Sequence, residues 1–193
     1  DGFKVMPNRS VSDFADGMTS RRKPDSVYVG FCNDTRTLAE VATVLTSVNC
    51  ADSCKIVDPV MGDNGKLYPV FDSDYVDEMK RVVRLADYIT PNVTEACLLA
   101  GIDYAALAAN IGRESFADTC LAAFADFTNL VGCKNAVITG VDCGIRIVNI
   151  VLEQGKQPVV MGNGRVDGVF SGTGDVFSSV LTGSVLAGLP LDI

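Results

Sequence analysis

A chain of 193 residues, 48% hydrophobic and 21% charged, has the composition of a soluble globular protein and is long enough for one sizeable core. Its formal net charge of −8 argues against a nucleic-acid partner, which needs a basic surface, but not against an anionic nucleotide held by a local cradle of N–H groups and a metal ion. No window reaches 18 successive apolar residues, so no membrane-spanning helix is expected.

From the N-terminus, the stretch Phe3 to Asp25 carries no strong pattern and is expected to be a mobile segment beside a pocket. Ser26 to Phe31 is a β-rich run. Thr35 to Val48 places Leu38, Val41, Ala42, Leu45 and Val48 at helical spacing, behind a cap at Asp34 or Thr35. Lys55-Ile56-Val57 is a second strand, ended by Asp58-Pro59 because proline cannot donate to a ladder. A glycine-containing loop follows from Val60 to Tyr68. Ser73 to Leu85 reads as a helix, and Asp87 to Thr90 as a strand stopped by Pro91. Asn92 then caps a helix through Leu99, with Glu95 three residues on as in a capping box. The spacing predicts one helix over Phe116 to Val131 and a strand over Ala136 to Thr139 that breaks at Gly140. Ile145–Val151 and Gln157–Met161 read as a two-strand excursion joined by a polar turn. A last helix starts at Gly174, with Val176, Phe177, Val180, Leu181 and Val185 on one stripe.

Strands that are continuous apolar runs, alternating with helices, predict an α/β fold: a mainly parallel central sheet with helices on both faces. In such folds ligands bind beyond the carboxyl ends of the strands. Asp58, Thr90, Asn92 and Thr139 fall at those ends.

Four segments carry the chemistry. Asp58-Pro-Val-Met-Gly-Asp63-Asn-Gly-Lys-Leu-Tyr68 puts two carboxylates in one strand-end loop. Thr90-Pro-Asn92-Val-Thr-Glu95 puts a carboxylate on the first turn of a helix. Val137-Ile138-Thr139-Gly140 ends a strand with a hydroxyl. Ser171-Gly172-Thr173-Gly174-Asp175 pairs a glycine-rich helix start with an acidic residue, an anion cradle beside a base. Each also has a plain structural reading: Glu95 completes a capping box in which Gln would serve as well, Asp63-Asn64-Gly65 is a polar turn, and any helix has an N-terminus.

In this order, the DPVMGDNGKLY loop, the ADYITPNVTEACLLAG segment from Ala86 to Gly101, the VITG strand end and the GTGD cradle resemble the pyridoxal kinases of the ribokinase-like superfamily, over about Ser26 to Gly188. The resemblance implies ATP-dependent phosphorylation of the 5′-hydroxymethyl group of pyridoxal, pyridoxine or pyridoxamine. Asp175 maps to the general base, and Gly172, Thr173 and Gly174 to the amides that hold the transferred phosphoryl group. Asp58, Asp63 and Glu95 map to the metal–phosphate region, with Asp63 and Glu95 toward Mg²⁺. Asp58, Thr90, Asn92 and Thr139 map to nucleotide contacts. It further implies ATP and Mg²⁺, with a monovalent cation as a further candidate, a homodimer, a cytoplasmic setting, and neither nucleic-acid nor membrane partners.

Compared with that family, residues 1–193 read as a single domain that starts after an N-terminal strand–helix portion and stops before the C-terminal end; Gly2-Phe3 reads as the close of a Gly-Gly-Phe-like segment of that portion. A hydroxymethylpyrimidine or hydroxymethylpyrimidine-phosphate kinase of the same superfamily is the alternative, although those often carry cysteine where this chain has Asp175. A non-catalytic nucleotide-binding protein is the alternative of a different class. A dinucleotide-binding oxidoreductase fits poorly, since the cradle lacks a third glycine and comes late in the chain. The seven cysteines are irregularly spaced and there is no histidine, so reduced thiols are expected and neither a disulfide nor zinc.

Overall fold

The computed structural model describes residues 10–19, 22–168, 170 and 172–191. The Gly2-Phe3 segment and Ser171 of the cradle lie outside them. In chain order the elements are α1 (Val11–Thr19), β1 (Ser26–Val29), α2 (Thr35–Thr46), β2 (Cys54–Val57), β3 (Gly62–Asp63), β4 (Lys66–Leu67), α3 (Ser73–Val83), β5 (Tyr88–Ile89) and α4 (Val93–Ala100). They continue with α5 (Tyr104–Ala108), α6 (Phe116–Ala123), α7 (Phe127–Val131), β6 (Asn135–Asp142), β7 (Arg146–Glu153), β8 (Val159–Gly164) and α8 (Thr173–Leu186).

A six-stranded sheet has the order β1-β2-β5-β6-β7-β8. The first four strands run parallel, and β7 and β8 extend the sheet antiparallel. The two-strand excursion is therefore part of the main sheet. Side chains alternate across it. Val29, Val57, Ile89, Ala136, Ile138, Val148 and Ile150 face the main core, which α2 to α6 close with Leu38, Met79, Ala96, Leu107 and Phe116. Val137, Ile147 and Val151 face the other side, opposite Phe177, Val180 and Leu181 of α8. Helices thus lie on both faces, as the apolar strand runs require.

Four local expectations are corrected. Within the segment 3–25, residues Val11–Thr19 form α1, which packs on α2 and whose Val11 N–H donates to Glu40 Oε2 at 2.6 Å. The expected helix over Phe116 to Val131 is two helices, because Phe127 N bonds to Phe124 O in a tight turn between them. That turn keeps the stripe in phase: Phe124 and Phe127 are both buried, with rings 5.6 Å apart edge to face. Gly140 does not end β6. Its φ of 68° makes a bulge, the register shifting between Ile138 and Val141. In α8 the buried residue is Ser178, whereas Val176 and Val180 are exposed.

The loop from Val60 to Tyr68 contains an antiparallel ribbon of β3 and β4. Asn64 and Gly65 both have positive φ, 51° and 76°, the arrangement of a two-residue hairpin turn. A side chain at Gly65 would meet the Tyr104 ring. Gly65→Ala should therefore cost about 2 kcal/mol, from strain and from displacing that ring. Thermal melting checks this; a loss under about 0.5 kcal/mol would contradict it.

Candidate functional site

Every site residue expected from the sequence lines one cleft of about 720 Å³: Asp58, Asp63, Thr90, Asn92, Glu95, Thr139, Gly172, Thr173, Gly174 and Asp175. A neighbouring groove of about 450 Å³ between β6–β8 and α8 carries no titratable side chain, so the chemistry belongs to the cleft.

Strand ends build its floor. Asp58 follows β2, and its N–H continues the parallel ladder to Val29 O at 2.8 Å. Its carboxylate is buried, 7% exposed, and receives the Tyr28 hydroxyl at Oδ2, 3.4 Å away. Burial pushes the Asp58 carboxyl up to about 6 against the pull of the Tyr28 hydroxyl, and the charge of Asp175 adds to the rise. Thr90 follows β5 and shares a 3.0 Å hydrogen bond with Ser178 of α8. The β6 bulge presents Thr139, whose N–H donates to Pro91 O at 2.9 Å and which bridges to Asn92.

The helix start at Asn92 does two jobs. Asn92 Oδ1 accepts from Glu95 N at 2.9 Å, and Glu95 Oε2 accepts from Asn92 N at 2.8 Å, closing the capping box. The same residues pin the hairpin: Asn92 Nδ2 donates to Gly62 O, Met61 N donates to Glu95 Oε1, and Gly65 N donates to Thr94 Oγ1. Glu95 is 3% exposed, and burial pushes its carboxyl up to about 8 although backbone N–H groups of Asn92, Met61 and Gly62 pull it down. Asp63 sits exposed on the hairpin, with both oxygens turned to Asn64.

The last wall is the start of α8. Gly172 takes a left-handed conformation, φ 80°, and among the described residues no side chain caps the helix. Asp34, Asp72, Asn92 and Asp103 do cap α2, α3, α4 and α5, while α6 and α7, like α8, have no side-chain cap. The first N–H groups of α8 are thus left to the cleft, the arrangement that suits an anion. Asp175 lies in that first turn, exposed, with Oδ1 3.4 Å from the Tyr28 hydroxyl.

Tyr28, beside the cleft, and Ser178 and Phe31, which line it, are not marked out by the sequence. Tyr28 looks like one more apolar strand residue; the pairing of β1 with β2 brings it to Asp58, and the packing of α8 on β1 brings it to Asp175. Ser178 hides within the α8 stripe. Phe31, half exposed, lines the cleft and rests on Phe71, which stacks on Tyr75 at 3.8 Å.

Both raised carboxyls bear on stability. Their folded pKa values exceed the unfolded ones, so the folded chain holds these protons more tightly. That contribution is complete below about pH 4 and is lost as pH rises through about 6 for Asp58 and about 8 for Glu95. Asp87 and Asp142, held low, act in the opposite sense but only in acid. The ligand-free melting temperature should fall by about 5 °C or more between pH 5 and 8.5. A flat or rising profile over that window would contradict it.

Mg²⁺ is the cation to test against these residues. Among the described residues no group of three His, Cys, Asp or Glu side chains could hold a metal ion by itself. The available donors are all carboxylate oxygens, and those of Glu95 and Asp63 already accept N–H groups. This donor set fits a hard ion that keeps several waters and draws its other ligands from phosphate, which is how Mg²⁺ is commonly held.

The family pattern of the phosphomethylpyrimidine kinases matches residues 1–192. The chain belongs to this family. Among curated relatives, the pyridoxal kinase of Arabidopsis thaliana is 32% identical over 163 residues, covering 81% of this chain and 48% of that protein. A Bacteroides thetaiotaomicron protein assigned to the phosphomethylpyrimidine kinases superposes with a TM-score of 0.81 at 28% identity, covering 98% of this chain and 64% of that one. Its orthorhombic crystal form, with pyridoxal, gives a TM-score of 0.77 at 29% identity over 93% and 61%. The pyridoxal kinase of Lactobacillus plantarum gives 0.74 at 26% identity over 98% and 67%. The chain therefore spans about half the length of the Arabidopsis relative and about two thirds of these solved chains. Members of the family share this architecture, a ribokinase-like α/β fold with a mostly parallel sheet.

Proposed function

We propose that the whole protein transfers the γ-phosphoryl group of ATP to the 5′-hydroxymethyl group of a B6 vitamer: pyridoxal, pyridoxine or pyridoxamine. One observation carries this reading: Asp175 stands on the first turn of an uncapped helix, beside the buried strand-end carboxylate Asp58. A primary alcohol is a poor nucleophile, and a positioned carboxylate helps by accepting its proton. As the alcohol oxygen bonds to the γ-phosphorus, its proton passes to Asp175, the bond from that phosphorus to the β–γ bridging oxygen breaks, and ADP leaves. Amides of Gly172, Thr173 and Gly174 face the phosphoryl oxygens, which carry the developing charge. Thr90, Asn92 and Thr139 border the nucleotide. Asp58, with Asp63 and Glu95 acting through water, would hold Mg²⁺, which when bound supplies neutralising charge to the phosphates.

The relatives support the acceptor: a pyridoxal kinase in the curated set, and a neighbour crystallised with pyridoxal. A second reading, phosphorylation of hydroxymethylpyrimidine or its phosphate, draws on the description of the matched family. Asp175 in place of a cradle cysteine weighs toward the B6 vitamer. An intact base also weighs against a non-catalytic nucleotide binder. A homodimer and a monovalent-cation activator complete the proposal, and the seven free thiols accord with a cytoplasmic setting.

Incubating the whole protein with MgATP and pyridoxal should yield pyridoxal 5′-phosphate and ADP in equal amounts. ADP formed without the phosphorylated vitamer would overturn the acceptor assignment.

A further inference from the structure

Beside the cleft, in contact with two of its carboxylates, stands a polar group that the mechanism above leaves unused. Tyr28 projects from β1 toward α8, and its hydroxyl lies 3.4 Å from Asp58 Oδ2 and 3.4 Å from Asp175 Oδ1. A phenol has one proton to donate, so a hydroxyl equally distant from two carboxylates is shared between them. Its place is fixed by the backbone. A side chain at Gly30 would stand 3.3 Å from the Tyr28 oxygen and 3.5–3.6 Å from its ring, so the phenol lies over the space that glycine leaves. One turn further along α8, the buried 3.0 Å hydrogen bond between Ser178 and Thr90 ties the same helix to the sheet. Among the described residues Asp175 also accepts through its backbone carbonyl, from Ser179 Oγ at 2.7 Å.

We propose that Tyr28 is a positioning residue for phosphoryl transfer: its hydroxyl fixes Oδ1 of Asp175 and leaves Oδ2 to take the proton of the acceptor alcohol. The proposal rests on Asp175 being the base. It needs no charge on the phenol, because burial and the charges of Asp58 and Asp175 keep Tyr28 protonated. Holding a carboxylate in one orientation matters because general-base catalysis requires the base within hydrogen-bond reach of the proton it removes. At 3.4 Å the contact is long, so it orients the carboxylate more than it stabilises the fold, and its loss is expected in the rate and not in the melting temperature.

The test is Tyr28→Phe in the whole protein, with MgATP and pyridoxal, alone and combined with Asp175→Asn. The ring is retained, so packing over Gly30 persists. The expected result is a fall of about tenfold in kcat, with KM for both substrates within about twofold and an unchanged melting temperature. In the Asp175→Asn background the same change should cost nothing further, because the residue acts through Asp175. An inactive Asp175→Asn with a fully active Tyr28→Phe would overturn this inference alone. So would an undiminished tenfold loss from Tyr28→Phe in the Asp175→Asn background, or a loss expressed only in KM. A fully active Asp175→Asn would overturn the base assignment and this inference with it.

Discussion

Asp175→Asn should lower turnover by about 10²–10⁴ while leaving ATP binding in place, since that is the usual cost of losing a positioned general base. The fold should not suffer. Asp175 is exposed, its contact with Tyr28 is long, and its backbone bond to Ser179 is indifferent to the substitution. Two small electrostatic effects oppose each other. A carboxylate at a helix N-terminus is favourable by about 0.3–1 kcal/mol, but this one raises the pKa of the buried Asp58. Neutralising it loses the first and relieves the second. A large drop in kcat with an unchanged melting temperature and an unchanged Kd for ATP is the signature. Near wild-type turnover would remove Asp175 from the mechanism.

Glu95→Ala should instead damage the fold. Two backbone donors, Met61 N and Asn92 N, lose their acceptor in a buried place, and the hairpin loses its tie to α4. Each orphaned donor costs about 1–3 kcal/mol, so a loss of about 3 kcal/mol or more is expected, roughly 10 °C in melting temperature. Glu95→Gln is more informative. On the capping box alone, glutamine serves as well as glutamate. The structure corrects that, because Glu95 accepts with both oxygens from two different strands of backbone, and an amide offers one acceptor and one donor. A loss of about 1–2 kcal/mol should accompany any weakening of the Mg²⁺ dependence. A metal titration identical to wild type, together with a clear loss of stability, would assign Glu95 to structure alone. A weakened metal dependence at unchanged stability would contradict the two-acceptor geometry.

The parts of the site that sequence makes legible are those written as local punctuation. Pro59 and Pro91 stop strands, so Asp58, Thr90 and Asn92 announce themselves as strand-end residues. Asn92 and Glu95 are three apart, and the capping box forms with both bonds. Gly172 and Gly174 flag the α8 start. Less legible is anything that depends on where distant segments meet. Tyr28 and Asp175 are 147 positions apart, and nothing in the Ser26–Val29 run marks the tyrosine as other than a strand former. Ser178 is the buried residue of α8 because it meets Thr90, which outranks the apolar stripe around it. Periodicity also misleads in a particular way: a tight turn after Phe124 keeps the stripe from Phe116 to Val131 in phase, so two helices read as one. Gly140 illustrates the converse, a residue that punctuates in sequence yet only bends β6, because Val141 resumes pairing with β7.

The identity of the alcohol decides the reaction. Both heteroaromatic acceptors carry a hydroxymethyl group, so Asp175 and the α8 amides would serve either, and discrimination must come from polar groups that read the ring substituents. The decisive measurement is kcat/KM of the whole protein for pyridoxal, pyridoxine and pyridoxamine beside hydroxymethylpyrimidine, under one MgATP concentration. The highest value is expected for a B6 vitamer. A higher value for the pyrimidine would contradict it.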